Sequence, residues 1–349
     1  MCLFVFLFFI IMTSCSSKIP DAWNEYYKKG NFEMQIDAKI ICTESHDYSV
    51  YTVAPLDFDP RMCVDLLNHL VGGVVIDALH YGDMASNKLD DNREIQYGFY
   101  QNYIFYQSFT DGIIQLENWI LPGEAYPGEP AGTTLENIDI SEEAASNIGY
   151  ELLDAFDIDY MQIADASKAR VLTSSYQTLY EGWYISFCRD YAHYTPISIA
   201  SVSNNRHMMQ RDFPPKSPWL PETISMFING NGIQAFYWGD PIEILYKTEI
   251  NENLLSFSDM QDIIKEYFFN NYLRETMINS KRIPKVFKIV LTGAMLSDET
   301  NGSGRIIPTW AVFYTTEAEI ENYSLPAVVC FDATTGQPVN PFSIEKGTQ

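Results

Sequence analysis

One order of elements occurs twice in this 349-residue chain: a helix with a single apolar stripe, then strands. A helix with one apolar face has to bury it, and the strands that follow supply the surface. The repeat therefore restricts the chain to sheets backed by helices. The later copy covers residues 256–341. Its helix begins at Ser256 or Ser258; Ser258 and Gln261 read as a capping box, and Phe257, Met260, Ile263, Ile264, Tyr267 and Phe268 follow helical spacing. The stripe of Phe257, Met260, Ile264 and Phe268 is expected to cover a sheet containing the strand around Trp310. In that frame Trp310 is a core anchor and Asp332, ahead of Gly336, a turn former. In residues 286–291 both alternating sets are apolar enough to face inward, the pattern of a strand buried on both sides.

The earlier copy covers residues 139–250. Ser141 caps a helix whose first turn holds Glu142 and Glu143, and Ala145, Ile148, Leu152 and Phe156 form its buried stripe. Strands are expected over 161–172 and 183–191. A Pro-rich connection over 203–221 follows, with Pro214, Pro215, Pro218 and Pro221. A hairpin then turns at Gly230-Asn231, and 242–250 alternates again.

The front of the chain reads as a separate strand-rich domain over residues 32–121. Phe32, Met34, Ile36, Ala38 and Ile40 alternate with polar residues, and 48–54 is expected to pair with that strand. Asp59 caps a short helix with Pro60 in its first position; Met62, Leu66, Leu67 and Leu70 face inward and Gly72-Gly73 end it. Thr110-Asp111-Gly112 reads as a hairpin between neighbouring strands. Residues 122–134, with Pro122, Pro127 and Pro130, separate this part from the rest. The expected fold is α+β: antiparallel sheets, each covered by one helix, as tandem helix-then-strands units after an N-terminal β-rich part.

Residues 3–11 form an apolar run. It is shorter than the roughly 20 residues that span a bilayer, and it suits a signal peptide. Met12-Thr13-Ser14-Cys15 follows. It resembles the lipobox of bacterial lipoproteins, with 1–14 the signal peptide, Cys15 the acylated first residue of the mature chain and 15–31 a tether. Within the tether, 21–27 reads as a small helix-like piece. The remaining Cys42, Cys63, Cys188 and Cys330 lack Cys-x-x-Cys spacing, which argues against a zinc site, and four buried thiols are expected rather than a disulfide framework.

The Pro-x-Trp strand at Pro308 and Trp310, and the ending Asp332-Ala333-Thr334-Thr335-Gly336, resemble a PepSY-like module. The block from Phe227 through Gly230-Asn231 to Trp238, with Asp240-Pro241-Ile242 after it, is similar to uncharacterised lipoproteins of Gram-positive gut bacteria. Tandem PepSY-like units also occur in the YycH and YycI class of membrane-anchored kinase regulators. The resemblance implies a lipid anchor in the cell membrane and exposure on its extracytoplasmic face. It implies no established activity.

Lys plus Arg is 22 against 46 for Asp plus Glu, a formal charge of −24 that disfavours nucleic acid and anionic lipid headgroups. The five histidines show no zincin spacing, and there is no nucleophile elbow or phosphate-binding loop. The acidic pairs, such as Asp57 with Asp59 and Asp157 with Asp159, read as solvated surface. No catalytic residue, cofactor or metal site is expected. Trp219, Tyr237 and Trp238 are the candidate ligand or partner contacts, Trp219 because it lies in the Pro-rich connection. The expected function is a non-catalytic surface lipoprotein that binds or regulates an envelope protein. The alternatives are a lipoprotein that captures a peptide or glycan, and an envelope hydrolase using paired carboxylates.

Overall fold

The computed structural model describes residues 19–42, 48–72, 84–88, 94–99, 103–109, 112–116, 135, 137–173, 177–191, 194, 222–250, 254–275, 283–298, 303–315 and 327–339. In chain order these form β1 (Ala22–Lys29), β2 (Phe32–Ile41), β3 (Ser49–Pro55), α1 (Pro60–Val71), β4 (Met84–Lys88), β5 (Glu94–Phe99), β6 (Tyr103–Gln107) and β7 (Ile113–Leu116). Then come α2 (Glu142–Ala155), β8 (Met161–Leu172), β9 (Thr178–Arg189), β10 (Thr223–Asn229), β11 (Gly232–Gly239) and β12 (Ile242–Glu249). The chain continues through α3 (Phe257–Glu275), β13 (Lys285–Asp298), β14 (Ser303–Thr315), β15 (Ala327–Asp332) and β16 (Pro338–Val339). The fold is α+β and mostly sheet.

Two eight-stranded sheets carry it. The first runs β1-β2-β13-β14-β15-β16, with β3 paired to β14 and β12 paired to β3. It is mixed, because β2 and β13 are parallel. The second runs β4-β5-β6-β11-β10-β9-β8-β7 and is antiparallel throughout. The front segment is thus divided between the sheets. Strands β1 to β3 complete the first, and β4 to β7 flank the second on both sides.

The α3 stripe covers the first sheet as its spacing predicts. Phe257, Met260, Ile264 and Phe268 are buried with Trp310, Val312 and Phe331. Phe257 packs on Trp310 at 5.4 Å between ring centroids, and Tyr267 meets Phe331 edge-on at 5.1 Å. A bulge at Phe287 settles the two-sided strand: Ile289 and Leu291 face α3, while Val290 lies on the opposite face with Ala311 and Phe313. The second sheet is covered by two helices rather than one. Cys63, Leu66 and Leu67 of α1 and Ala145, Leu152 and Leu153 of α2 share one core against it. Asp59 caps α1 by accepting from the Arg61 amide, and Gly72 ends it with φ of 69°, a left-handed conformation that glycine adopts without strain.

Four local expectations are corrected. Where 21–27 is expected to be helix-like, residues 22–29 form strand β1: Trp23 is buried while Tyr26 is 60% exposed, and the strand folds back along β2. Strand β3 does not pair with β2 but sits between β14 and β12. The α3 cap is Ser256, not Ser258; its Oγ accepts from the Asp259 amide at 3.1 Å and donates to the Asp259 carboxylate at 2.6 Å. That register brings Phe257 into the first turn and onto Trp310. Thr110 and Asp111 lie outside the described residues, and the strands on either side of them do not form the expected hairpin, because β6 pairs with β5 and β11 while β7 pairs with β8. Phe109, at the end of the described stretch that contains β6, is buried with Val171 and Phe227.

Among the described residues Cys42, Cys63, Cys188 and Cys330 form no disulfide. Cys63 and Cys330 are buried, whereas Cys42 and Cys188 are only half-buried. Burial pushes the Cys63 and Cys330 thiols up to about 12, which keeps both protonated and inert.

Candidate functional site

The second sheet has a face away from α1 and α2, and its centre is polar. Across β8, β9, β10 and β11, register places Asp165, Ser186, Ser225 and Tyr237 side by side. The next row along the strands holds Ser167, Tyr184, Phe227 and Ala235. Ser186 and Ser225 are buried at 1% and 7% exposure. Asp165 and Tyr184 beside them are half-buried, and Tyr237 is 39% exposed. Small buried residues thus lie among larger, more exposed ones.

The hydroxyls of these rows are unevenly satisfied. Ser167 donates to Asp165 at 2.9 Å. Ser186 Oγ makes no hydrogen bond, although it lies beside the Tyr184 phenol. Burial raises the Tyr184 pKa; the nearby Ser225 and Ser186 hydroxyls temper the rise and the charge of Asp165 adds to it. Lys288 of β13 is near enough to feel Asp165. Its pKa is lowered by burial, with Asp165 opposing and Lys39 reinforcing the shift, and its Nζ lies 4.9 Å from the Phe313 ring centre.

Tyr237 ends the first of these rows. It stacks on Tyr103 at 5.9 Å with 26° between ring planes. The ring lies back over Gly239, where a β-carbon would stand 2.5 Å from the Tyr237 hydroxyl. Trp238 points to the other face and is an anchor, 6% exposed and edge-on to Phe58 at 4.9 Å. Its indole N–H donates to Glu222 Oε1 at 3.0 Å. Glu222 Oε2 accepts from Arg189 Nε at 2.6 Å, and the backbone N–H of Ile242 donates to the same carboxylate. One fully buried carboxylate thus ties β9 and β11 of the second sheet to the start of β12 in the first. Spacing gave no sign of Glu222, since an isolated Glu after a Pro-rich run reads as surface. Cys15 and Trp219 lie outside the described residues.

Strand β12 is the second feature of note. It begins buried at Ile242 and is then exposed along its whole length. Ile244, Leu245 and Tyr246 are 37%, 48% and 60% exposed, and Leu245 sits in a register shift against β3. Among the described residues β3 is its one strand partner. Its base is held by Glu222 and by the Leu56 amide, which donates to Pro241 O at 2.8 Å. Tyr51 and Tyr194 pin β3 to the second sheet, donating to Tyr191 O at 3.0 Å and to Ser49 O at 2.6 Å.

Among solved structures, an uncharacterised protein from Eubacterium rectale overlays 92% of this chain and 94% of its own at a TM-score of 0.54, with 12% identity. The two chains share a fold. The C-terminal domain of YpeB from Bacillus megaterium overlays 81% of this chain and 96% of its own at 10% identity, but its TM-score of 0.31 is too loose to bear on the fold. No protein-family model matches the chain, and no curated protein matches it. Among the described residues no three metal-ligating side chains gather, and no helix is long and apolar enough to cross a membrane.

Proposed function

We propose that this chain is a non-catalytic lipoprotein of a Gram-positive envelope, anchored through Cys15, whose β12 edge takes an extended segment of a partner protein. The observation that carries the reading is β12 itself: a strand with exposed Ile244, Leu245 and Tyr246 and one described neighbour. Such an edge offers backbone groups to an incoming strand and side-chain contacts on both faces. The charge of −24 makes a second copy of this chain a poor occupant and favours a basic segment. The helix-then-strands stretches, α2 with β8 to β11 and α3 with β13 to β15, are read as PepSY-like units. The order of elements supports this, and so does the placement of each helix on its own sheet.

The test is recovery of partners from the protein's own membrane after crosslinking, with wild type and a Leu245→Lys, Tyr246→Lys variant side by side. Both substituted residues are about half exposed or more, so the melting temperature is expected to hold while the partner is lost. Equal recovery by the variant, or recovery of no protein by wild type, would sink the proposal. Mass spectrometry of the mature N-terminus checks the anchor separately: a diacylglyceryl group on Cys15 is expected, and an intact Met1 refutes it.

A further inference from the structure

We infer that the β12 edge, taken as the docking strand proposed above, accepts an antiparallel segment in one register, with a Lys or Arg opposite Glu249, an Asp or Glu opposite Lys247 and an apolar residue opposite Tyr246.

The backbone sets that register. Along an antiparallel ladder, residues that bond to the neighbouring strand alternate with residues whose N–H and C=O turn away from it. At the far end of β12 the Ile250 amide donates to Tyr48 O at 3.2 Å. Counted back from there along the pairs Glu249 with Ser49, Thr248 with Val50, Lys247 with Tyr51 and Tyr246 with Thr52, Thr248 and Tyr246 bond to β3. Lys247 and Glu249 turn their backbone groups to the open edge. At the near end the Leu56 amide donates to Pro241 O, so Ile242 and Ile244 turn outward as well. Ile242 is buried, however, and the extra residue Leu245 breaks the two-residue spacing between Ile244 and Lys247. The accessible regular stretch is Tyr246 to Glu249. An edge this short, ended by a bulge, resists long edge-to-edge pairing and suits one short segment.

Side chains then choose the segment. Lys247 and Glu249 are exposed and, among the described residues, neither has an ion-pair partner. They stand on the face of Tyr51 and Ser49, with Lys247 Nζ 5.9 Å from the Tyr51 ring centre. Tyr246, 60% exposed, stands on the opposite face with Thr248. Residues directly opposed across an antiparallel pair interact, and opposite charges there are favourable while like charges are not. A segment that runs basic, any residue, acidic, apolar satisfies Glu249, Lys247 and Tyr246 in turn. The order acidic, any residue, basic sets two like-charge contacts instead.

The experiment is fluorescence anisotropy of the full chain with two labelled peptides of equal composition and net charge, Arg-Val-Lys-Thr-Glu-Val-Val-Arg and Arg-Val-Glu-Thr-Lys-Val-Val-Arg. The first is expected to bind roughly tenfold tighter, because two attractive contacts replace two repulsive ones. A Lys247→Glu, Glu249→Lys variant should reverse the preference at an unchanged melting temperature, since both residues are exposed. Equal binding of the two peptides, binding of neither, or a variant that keeps the wild-type preference overturns the register. If the membrane partner is still lost from the Leu245→Lys, Tyr246→Lys variant, the docking edge survives that failure; if it is retained, both fall. Sedimentation covers the other occupant, because an antiparallel pairing centred on Thr248 also brings Lys247 of each copy against Glu249 of a second. A monomer is expected from the charge of −24, and a dimer that the Leu245→Lys, Tyr246→Lys variant dissolves overturns the inference.

Discussion

Glu222→Ala is expected to destabilise the protein by about 3–5 kcal/mol, the usual cost of removing one partner of a buried ion pair. The carboxylate has no exposed surface and three donors converge on it: Arg189, the Trp238 indole and the Ile242 amide. Deleting it leaves a guanidinium that is only 14% exposed without its counter-ion and two buried N–H groups without an acceptor. Thermal unfolding followed by circular dichroism measures the loss. Glu222→Gln keeps one carbonyl oxygen and should lose less. The same variant checks the pH dependence. Burial raises the Glu222 pKa above its ordinary value, and Arg189, Trp238 and Ile242 only partly pull it back. Burial also works against the Arg189 charge, but Glu222 more than offsets it and leaves the guanidinium pKa raised. The folded state therefore holds the Glu222 proton more tightly than the unfolded chain. Its contribution is complete below the ordinary glutamate value of about 4.3 and is lost as pH rises through the folded value. Wild type should lose melting temperature across that window more steeply than Glu222→Gln. Parallel profiles would show that the carboxylate does not titrate differently on folding.

What the sequence displays of this molecule is the part that local rules decide. The α1 and α2 caps, the Gly230-Asn231 hairpin between β10 and β11 and the α3 stripe over Trp310 all follow from periodicity and capping chemistry. Asp332 is the turn former that its spacing suggests, accepting from the Thr334 amide at 2.7 Å. Pairings between distant segments were not legible. Nothing local tells β2 to lie parallel to β13, or β3 to sit between β14 and β12. Those choices are made by which buried faces fit together. The polar row was hidden for the same reason: Asp165, Ser186, Ser225 and Tyr237 lie on four different strands and become neighbours through strand register alone. Tyr237 could be singled out from its aromatic surroundings, but its neighbour Trp238 belonged to the opposite face. Alternation along β11 separates the two once the strand is recognised, one on the face of the polar row and the other on the core face.

Trp310→Ala should also cost about 3–5 kcal/mol, and Trp310→Phe far less. Trp310 is 1% exposed, flanked on its sheet by Leu291 and Phe331 and covered by Phe257. Alanine there opens a large cavity beneath the N-terminal end of α3. Phenylalanine loses part of the volume but also removes the indole N–H, which is buried and makes no hydrogen bond. An unpaired buried donor costs about 1–3 kcal/mol, comparable to the transfer energy of the atoms removed, so the two changes nearly offset. Chemical denaturation of both variants decides the point. If Trp310→Phe is as damaging as Trp310→Ala, the indole donor has a partner in solution and the offset is absent. If it is near neutral, the tryptophan is held at this position by the space it fills between Phe257 and the sheet, and its nitrogen contributes nothing.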